Sequence, residues 1–155
     1  MYHFGYGSNL RASFVKEKLL PSAMFVMKGY LPNYEVQWRE WSEAYMGGIS
    51  SIVETPGEIV QGAIYECSQE DLENLDFIPG LYVPNYKRET FVVLGEDGRW
   101  YSAEVYRLRE LNGPFPPARK YVEGMFDGAR QIGLSLDYLE KIEGWVRESI
   151  GTGSK

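Results

Sequence analysis

Hydrophobic and polar positions alternate through much of the first two thirds of this chain, broken by two short helical stretches, and helical spacing takes over near the end. Residues 2 to 6 read as a short strand, and Leu10 to Leu20 as a helix that stops before Pro21, since proline cannot continue the hydrogen-bond ladder. Ala23 to Trp38 alternates as a strand, with Val26, Tyr30, Tyr34, Val36 and Trp38 facing inward and a break near Gly29 or Pro32. Gly48 to Val53 and Ile59 to Tyr65 then read as two strands paired with each other through a Thr55-Pro56-Gly57-Glu58 turn.

Ser68-Gln69-Glu70-Asp71 has the form of a capped helix start, for a helix running to about Asp76. Tyr86 to Leu94 and Trp100 to Leu108 flank Gly95-Glu96-Asp97-Gly98, a β-hairpin signal. Two helices follow, Arg119 to Ile132 and Ser135 to Arg147. Strands joined by hairpins, with few helices between them, predict an α+β protein with a mostly antiparallel or mixed sheet.

The chain's 155 residues suit one domain, expected over residues 1–150, with 151–155 as a flexible tail. A formal net charge of −6 without any basic run disfavours nucleic acid and anionic membrane as partners. Cys67 stands alone, which rules out an intrachain disulfide and suits a small core residue in a reducing compartment. No stretch approaches the roughly 20 apolar residues of a membrane span, so a cytoplasmic protein is the simplest expectation. His3 is the only histidine and is expected at a strand end or on the surface; no metal-ligand, dinucleotide or Walker-type pattern occurs, so no cofactor and no metal are expected.

The chemistry concentrates at the opening, Phe4-Gly5-Tyr6-Gly7-Ser8-Asn9-Leu10. Two glycines let the backbone turn sharply, and Ser8 is placed to cap the next helix, leaving N–H groups free for an anion or a carbonyl oxygen. The same residues also suit a plain tight turn that binds nothing.

The YGSNL wording resembles the signature of the γ-glutamylcyclotransferase-like, or AIG2-like, family. Further segments resemble the family in order: Met46-Gly47-Gly48-Ile49, Glu54 to Glu58, Val60 to Tyr65, Leu75-Asp76, Tyr86-Lys87-Arg88, Pro117 with Tyr121, Gly128-Ala129 and Gly133-Leu134. The resemblance implies a small mixed β-barrel with flanking helices. It also implies a reaction in which the α-amine of a γ-glutamyl group attacks its own γ-carbonyl, giving 5-oxoproline and a free amine or amino acid. The substrate-binding residues so implied are Tyr6, Gly7, Ser8, Asn9 and Leu10, with Tyr86, Tyr106 and Tyr121 as pocket aromatics. Ring walls and hydroxyls able to reach a substrate carboxylate are the roles open to these tyrosines, and plain packing is the alternative for each.

One position departs from the family. Active members carry an acid/base glutamate three residues after the Leu-Asp aspartate, where this chain reads Leu75-Asp76-Phe77-Ile78-Pro79-Gly80. Proline moves no protons, so Pro79 leaves the catalytic residue unassigned. Glu40, Glu43, Glu54 and Asp76 are substitutes weighed against a solvated surface role. The expected partner is a small γ-glutamyl or carboxylate ligand. Three readings stay open: a cyclotransferase with a displaced acid/base, a non-catalytic module that binds such a ligand, and an interaction protein with an empty pocket.

Overall fold

The computed structural model describes residues 1–76 and 85–151; Pro79 and residues 152–155 lie outside the described residues. Five strands, β1 (Tyr2–Gly5), β2 (Met24–Ser42), β3 (Gly47–Glu66), β4 (Tyr86–Gly95) and β5 (Trp100–Leu108), close into a barrel in the order β1-β3-β2-β4-β5. All neighbours are antiparallel except β1 and β5, so the expected α+β mixed barrel is what forms. No helix among the described residues is long and apolar enough to cross a membrane.

The largest difference from the sequence reading lies in the middle. Gly48 to Val53 and Ile59 to Tyr65 do not pair with each other; both belong to the 20-residue β3 and pair with β2, as Val36↔Ile52 and Pro32↔Ile59 show. The predicted turn is a kink shared by both strands. The register shifts between Pro32 and Tyr34, Asn33 takes φ +67°, and the Gly57 N–H donates to Asn33 Oδ1 at 3.1 Å. Turn residues here bend a long ribbon around the barrel instead of reversing the chain.

A second shift, between Phe25 and Met27, upsets the simple alternation. Val26 is consequently exposed, against expectation, while Val36 and Trp38 are buried and Tyr30 and Tyr34 are half-buried. Gly29 and Pro32 do not end the strand.

The segment Leu10 to Leu20 is not one helix either. It breaks into a 3-10 turn (Ser8–Leu10), a single turn α1 (Ala12–Phe14) and a π turn (Val15–Leu19) closed by Leu20 N–H to the Val15 carbonyl at 2.7 Å. Leu10, Val15, Leu19 and Leu20 are all buried, a spacing that a regular 3.6-residue helix cannot turn to one side.

The remaining elements follow the sequence closely. Ser68 caps α2 (Gln69–Leu75) by accepting the Asp71 N–H, but Asp71 does not reach back to complete the box. It accepts from the Ser22 hydroxyl and N–H instead, and that hydroxyl takes the Ser68 N–H at 2.9 Å. Helices α3 (Arg119–Ile132) and α4 (Leu136–Glu148) pack outside the barrel, α3 ending in the left-handed Gly133 and α4 capped by Ser135. At Gly128 an added Cβ would stand 2.6 Å from the Leu10 carbonyl carbon, so a glycine is what lets α3 lie directly on the backbone after β1.

Candidate active site

A cavity of about 370 Å³ opens at the end of the barrel where β1 and β5 finish. Its position follows from strand pairing. β2 and β4 are hydrogen-bonded only at Gly29↔Gly95 and Tyr30↔Leu94; beyond this they part, and Trp41, Ser42 and Tyr86 from the separated ends line the opening.

Gly5 to Asn9 border the cavity. Their shape is fixed by a buried chain of hydrogen bonds. His3 Nδ1 lies 2.9 Å from the Glu104 carbonyl, so it carries the proton and donates, while Nε2 accepts from Asn9 Nδ2 at 2.8 Å. The Tyr65 hydroxyl adds a bond to the Asn9 carbonyl at 2.6 Å. His3 is thus buried within the strand and not at the surface, and burial lowers its pKa from 6.5 to about 4, keeping the imidazole neutral.

The loop's N–H groups have different fates. Leu10 donates to the Gly7 carbonyl at 3.0 Å and Ser8 to the Tyr121 hydroxyl at 3.3 Å, whereas the Gly7 N–H meets no acceptor among the described residues. Ser8 does not cap a helix; it is the first residue of the 3-10 turn and makes no side-chain cap. With only three residues in that turn, no helix dipole backs the loop. Leu10 is fully buried and is not among the residues that line the cavity.

Tyr6, Tyr86, Tyr106 and Tyr121 do come together around the cavity. Their hydroxyls knit the wall: Tyr6 donates to the Tyr106 carbonyl at 2.6 Å, Tyr86 to the Ser50 carbonyl, and Tyr106 to Asp76 Oδ1 at 2.7 Å. The Tyr121 and Ser50 hydroxyls lie 2.8 Å apart, with either able to donate. Tyr121 is held edge-on by Trp38 and Tyr45, at ring distances of 5.6 and 5.3 Å. An added Cβ on Gly7 would stand 2.5 Å from the Tyr121 hydroxyl, so this close approach requires glycine.

The four substitute carboxylates separate cleanly. Asp76 is bound by Arg88 and Tyr106, and Glu40 accepts from Asn112 at 2.7 Å. Glu54 pairs opposite Tyr34 in the ribbon, away from the cavity lining. Glu43 is the one carboxylate lining the cavity among the described residues. It sits at the β2–β3 hairpin tip, where Ser42 Oγ accepts the Tyr45 N–H at 3.1 Å and folds the intervening residues over the opening. No sequence signal marked Phe14, Trp41 or Tyr45 as further walls, because their approach depends on the irregular turn after β1 and on the hairpin tip. No group of three or more metal-ligating side chains occurs among the described residues. Cys67 is buried in the core, with its thiol pushed up to about 11 by burial.

A five-stranded mixed barrel with outer helices and a Gly-Tyr-Gly-Ser-Asn loop at one mouth defines a class, and comparison with known proteins gives the same class. The chain belongs to the family described as "Gamma-glutamyl cyclotransferase, AIG2-like", which matches residues 3–125. It is 28% identical over 144 residues to the γ-glutamylcyclotransferase of Bos taurus, covering 90% of this chain and 76% of that one. The enzyme of the same name from Homo sapiens is 27% identical over 145 residues, covering 91% and 76%. A solved structure titled "Gamma-glutamyl cyclotransferase" superimposes with a TM-score of 0.87 at 26% identity, covering 100% of this chain and 94% of that one.

Proposed function

We propose that this protein cyclises a γ-glutamyl group to 5-oxoproline, releasing the amine or amino acid attached to it. The observation that carries the reading is the cavity bordered by Gly5 to Asn9, in a chain of this family. A pocket of this size suits a curled glutamyl chain whose α-nitrogen meets its γ-carbonyl. The Gly7 N–H is the loop donor available to the oxyanion that develops there.

Proton transfer falls to Glu43. Segment 77–84 supplies no carboxylate, its residues being Phe, Ile, Pro, Gly, Leu, Tyr, Val and Pro. Glu43 takes a proton from the substrate ammonium, the nitrogen forms its bond to the γ-carbon and sheds a second proton as it becomes the lactam N–H, and both protons pass to the departing nitrogen, which leaves as an ammonium when its bond to that carbon breaks. The balance is internal, with no co-reactant.

Incubation with a panel of γ-glutamyl peptides and γ-glutamyl amines, read by mass spectrometry, tests this directly. Equal release of 5-oxoproline and free amine supports it. A ligand-induced thermal shift without release supports instead a non-catalytic binding module, the reading that Pro79 favours, and neither signal sinks both.

A further inference from the structure

A second cavity of about 400 Å³ adjoins the first, and Ser8, Phe14, Tyr45 and Tyr121 line both. Its other walls are charged apart from Gly124, whereas the first cavity has Glu43 as its one charged lining residue among those described, His3 being neutral. Lys120, Glu123, Gly124 and Asp127 fall on one face of α3 at helical spacing. Arg11 crosses that face: a Cβ added at Gly124 would stand 3.5 Å from its Cδ and 3.6 Å from its Nη1. Among the described residues, neither the Arg11 nor the Lys120 side chain has an ion pair or a hydrogen bond, so both cations are available to a ligand.

We infer that this second cavity is a subsite for the departing half of the substrate, with Arg11 and Lys120 receiving a carboxylate on that half. The inference rests on the cyclotransferase reading above. Ser8 borders both cavities next to the Gly7 N–H, so a scissile bond at that N–H has the glutamyl side in the first cavity and the departing side in the second. The first cavity presents no cation among its described walls, and segment 77–84 contains no Lys or Arg, which leaves α3 and Arg11 as the place where a carboxylate on the departing side meets positive charge. Arg11 and Lys120 therefore set specificity, favouring a released amino acid over a released neutral amine. Glu123 and Asp127 on the same walls disfavour a departing half that is purely anionic and suit one that also carries an amino or amide N–H.

γ-Glutamylalanine and γ-glutamylethylamide differ only by the carboxylate on the departing side, which makes them the probes. Kd, or KM where turnover occurs, is measured for both on the native chain and on Arg11→Gln and Lys120→Gln. The native chain prefers γ-glutamylalanine, and Arg11→Gln weakens that ligand about tenfold while leaving γ-glutamylethylamide within about twofold. Equal weakening of both overturns the subsite, because Arg11 would then serve the glutamyl half or the fold. No change in either ligand also overturns it, while the cyclotransferase reading stands. Failure of the native chain to bind or turn over both probes fails the parent reading, and the subsite falls with it.

Discussion

The Asn9 side-chain amide donates to His3 Nε2 at 2.8 Å, joining the loop after β1 to the strand that launches it. Because the imidazole's other nitrogen is bound to the Glu104 carbonyl, the tautomer is fixed, and only a donor can stand at Asn9. Asn9→Leu leaves Nε2 buried without a partner and should cost about 1–3 kcal/mol in urea unfolding. Ligand binding in the adjoining cavity should weaken as well, since the loop loses its anchor.

The same imidazole makes stability depend on pH. Its folded pKa of about 4 lies below the ordinary 6.5, so the unfolded chain binds the extra proton between those values. This contribution is full above pH 6.5, is lost progressively as pH falls toward about 4, and changes no further below that. Its total is about 3 kcal/mol. Urea unfolding at successive pH values should show the decline, and His3→Gln should flatten that part of the profile.

Gly7 and Tyr121 form a second coupled pair. Gly7→Ala places a methyl 2.5 Å from the Tyr121 hydroxyl, which Ser8 and Ser50 hold in place. The single substitution should destabilise by about 1–3 kcal/mol. Tyr121→Phe removes the nearer of the two oxygens that the methyl meets, the other being Ser50 Oγ at 2.7 Å, so the double variant should cost less than the two singles together. A double-mutant cycle by chemical denaturation measures the difference.

Glu43→Gln keeps the shape of the hairpin tip and removes the proton acceptor of the proposed reaction. Turnover of γ-glutamyl substrates should fall by about 10²–10⁴ with thermal stability unchanged. Retained turnover would place the base elsewhere.

Much of this molecule is legible in its residues, and the places that are not share one cause. Helices α3 and α4 and the Gly95 to Gly98 hairpin follow from local periodicity, capping and turn chemistry, which depend on near neighbours. The fusion of two expected strands into β3 depends on β2 supplying a matching bend at Asn33, a relation across the barrel that no local window contains. The turn after β1 broke from the helix pattern because its buried residues answer to α3 as well as to each other. In the site, the loop and the four tyrosines could be named in advance, while the separation of Glu43 from Glu40, Glu54 and Asp76 required knowing which acids already had partners and which faced the cavity.

The β4–β5 hairpin is joined to the rest of the ring by two ladder pairs on each flank, at Gly29–Tyr30 of β2 and at Tyr2–His3 of β1. Internally it is zipped along its whole length from Tyr86 to Leu94. The hairpin carries Tyr86 and Tyr106, and hydroxyls add to those short ladders: Tyr86 donates to the Ser50 carbonyl and Tyr6 to the Tyr106 carbonyl. The cavity's tyrosines thus double as rivets, closing the ring where the main chain contributes only a short seam.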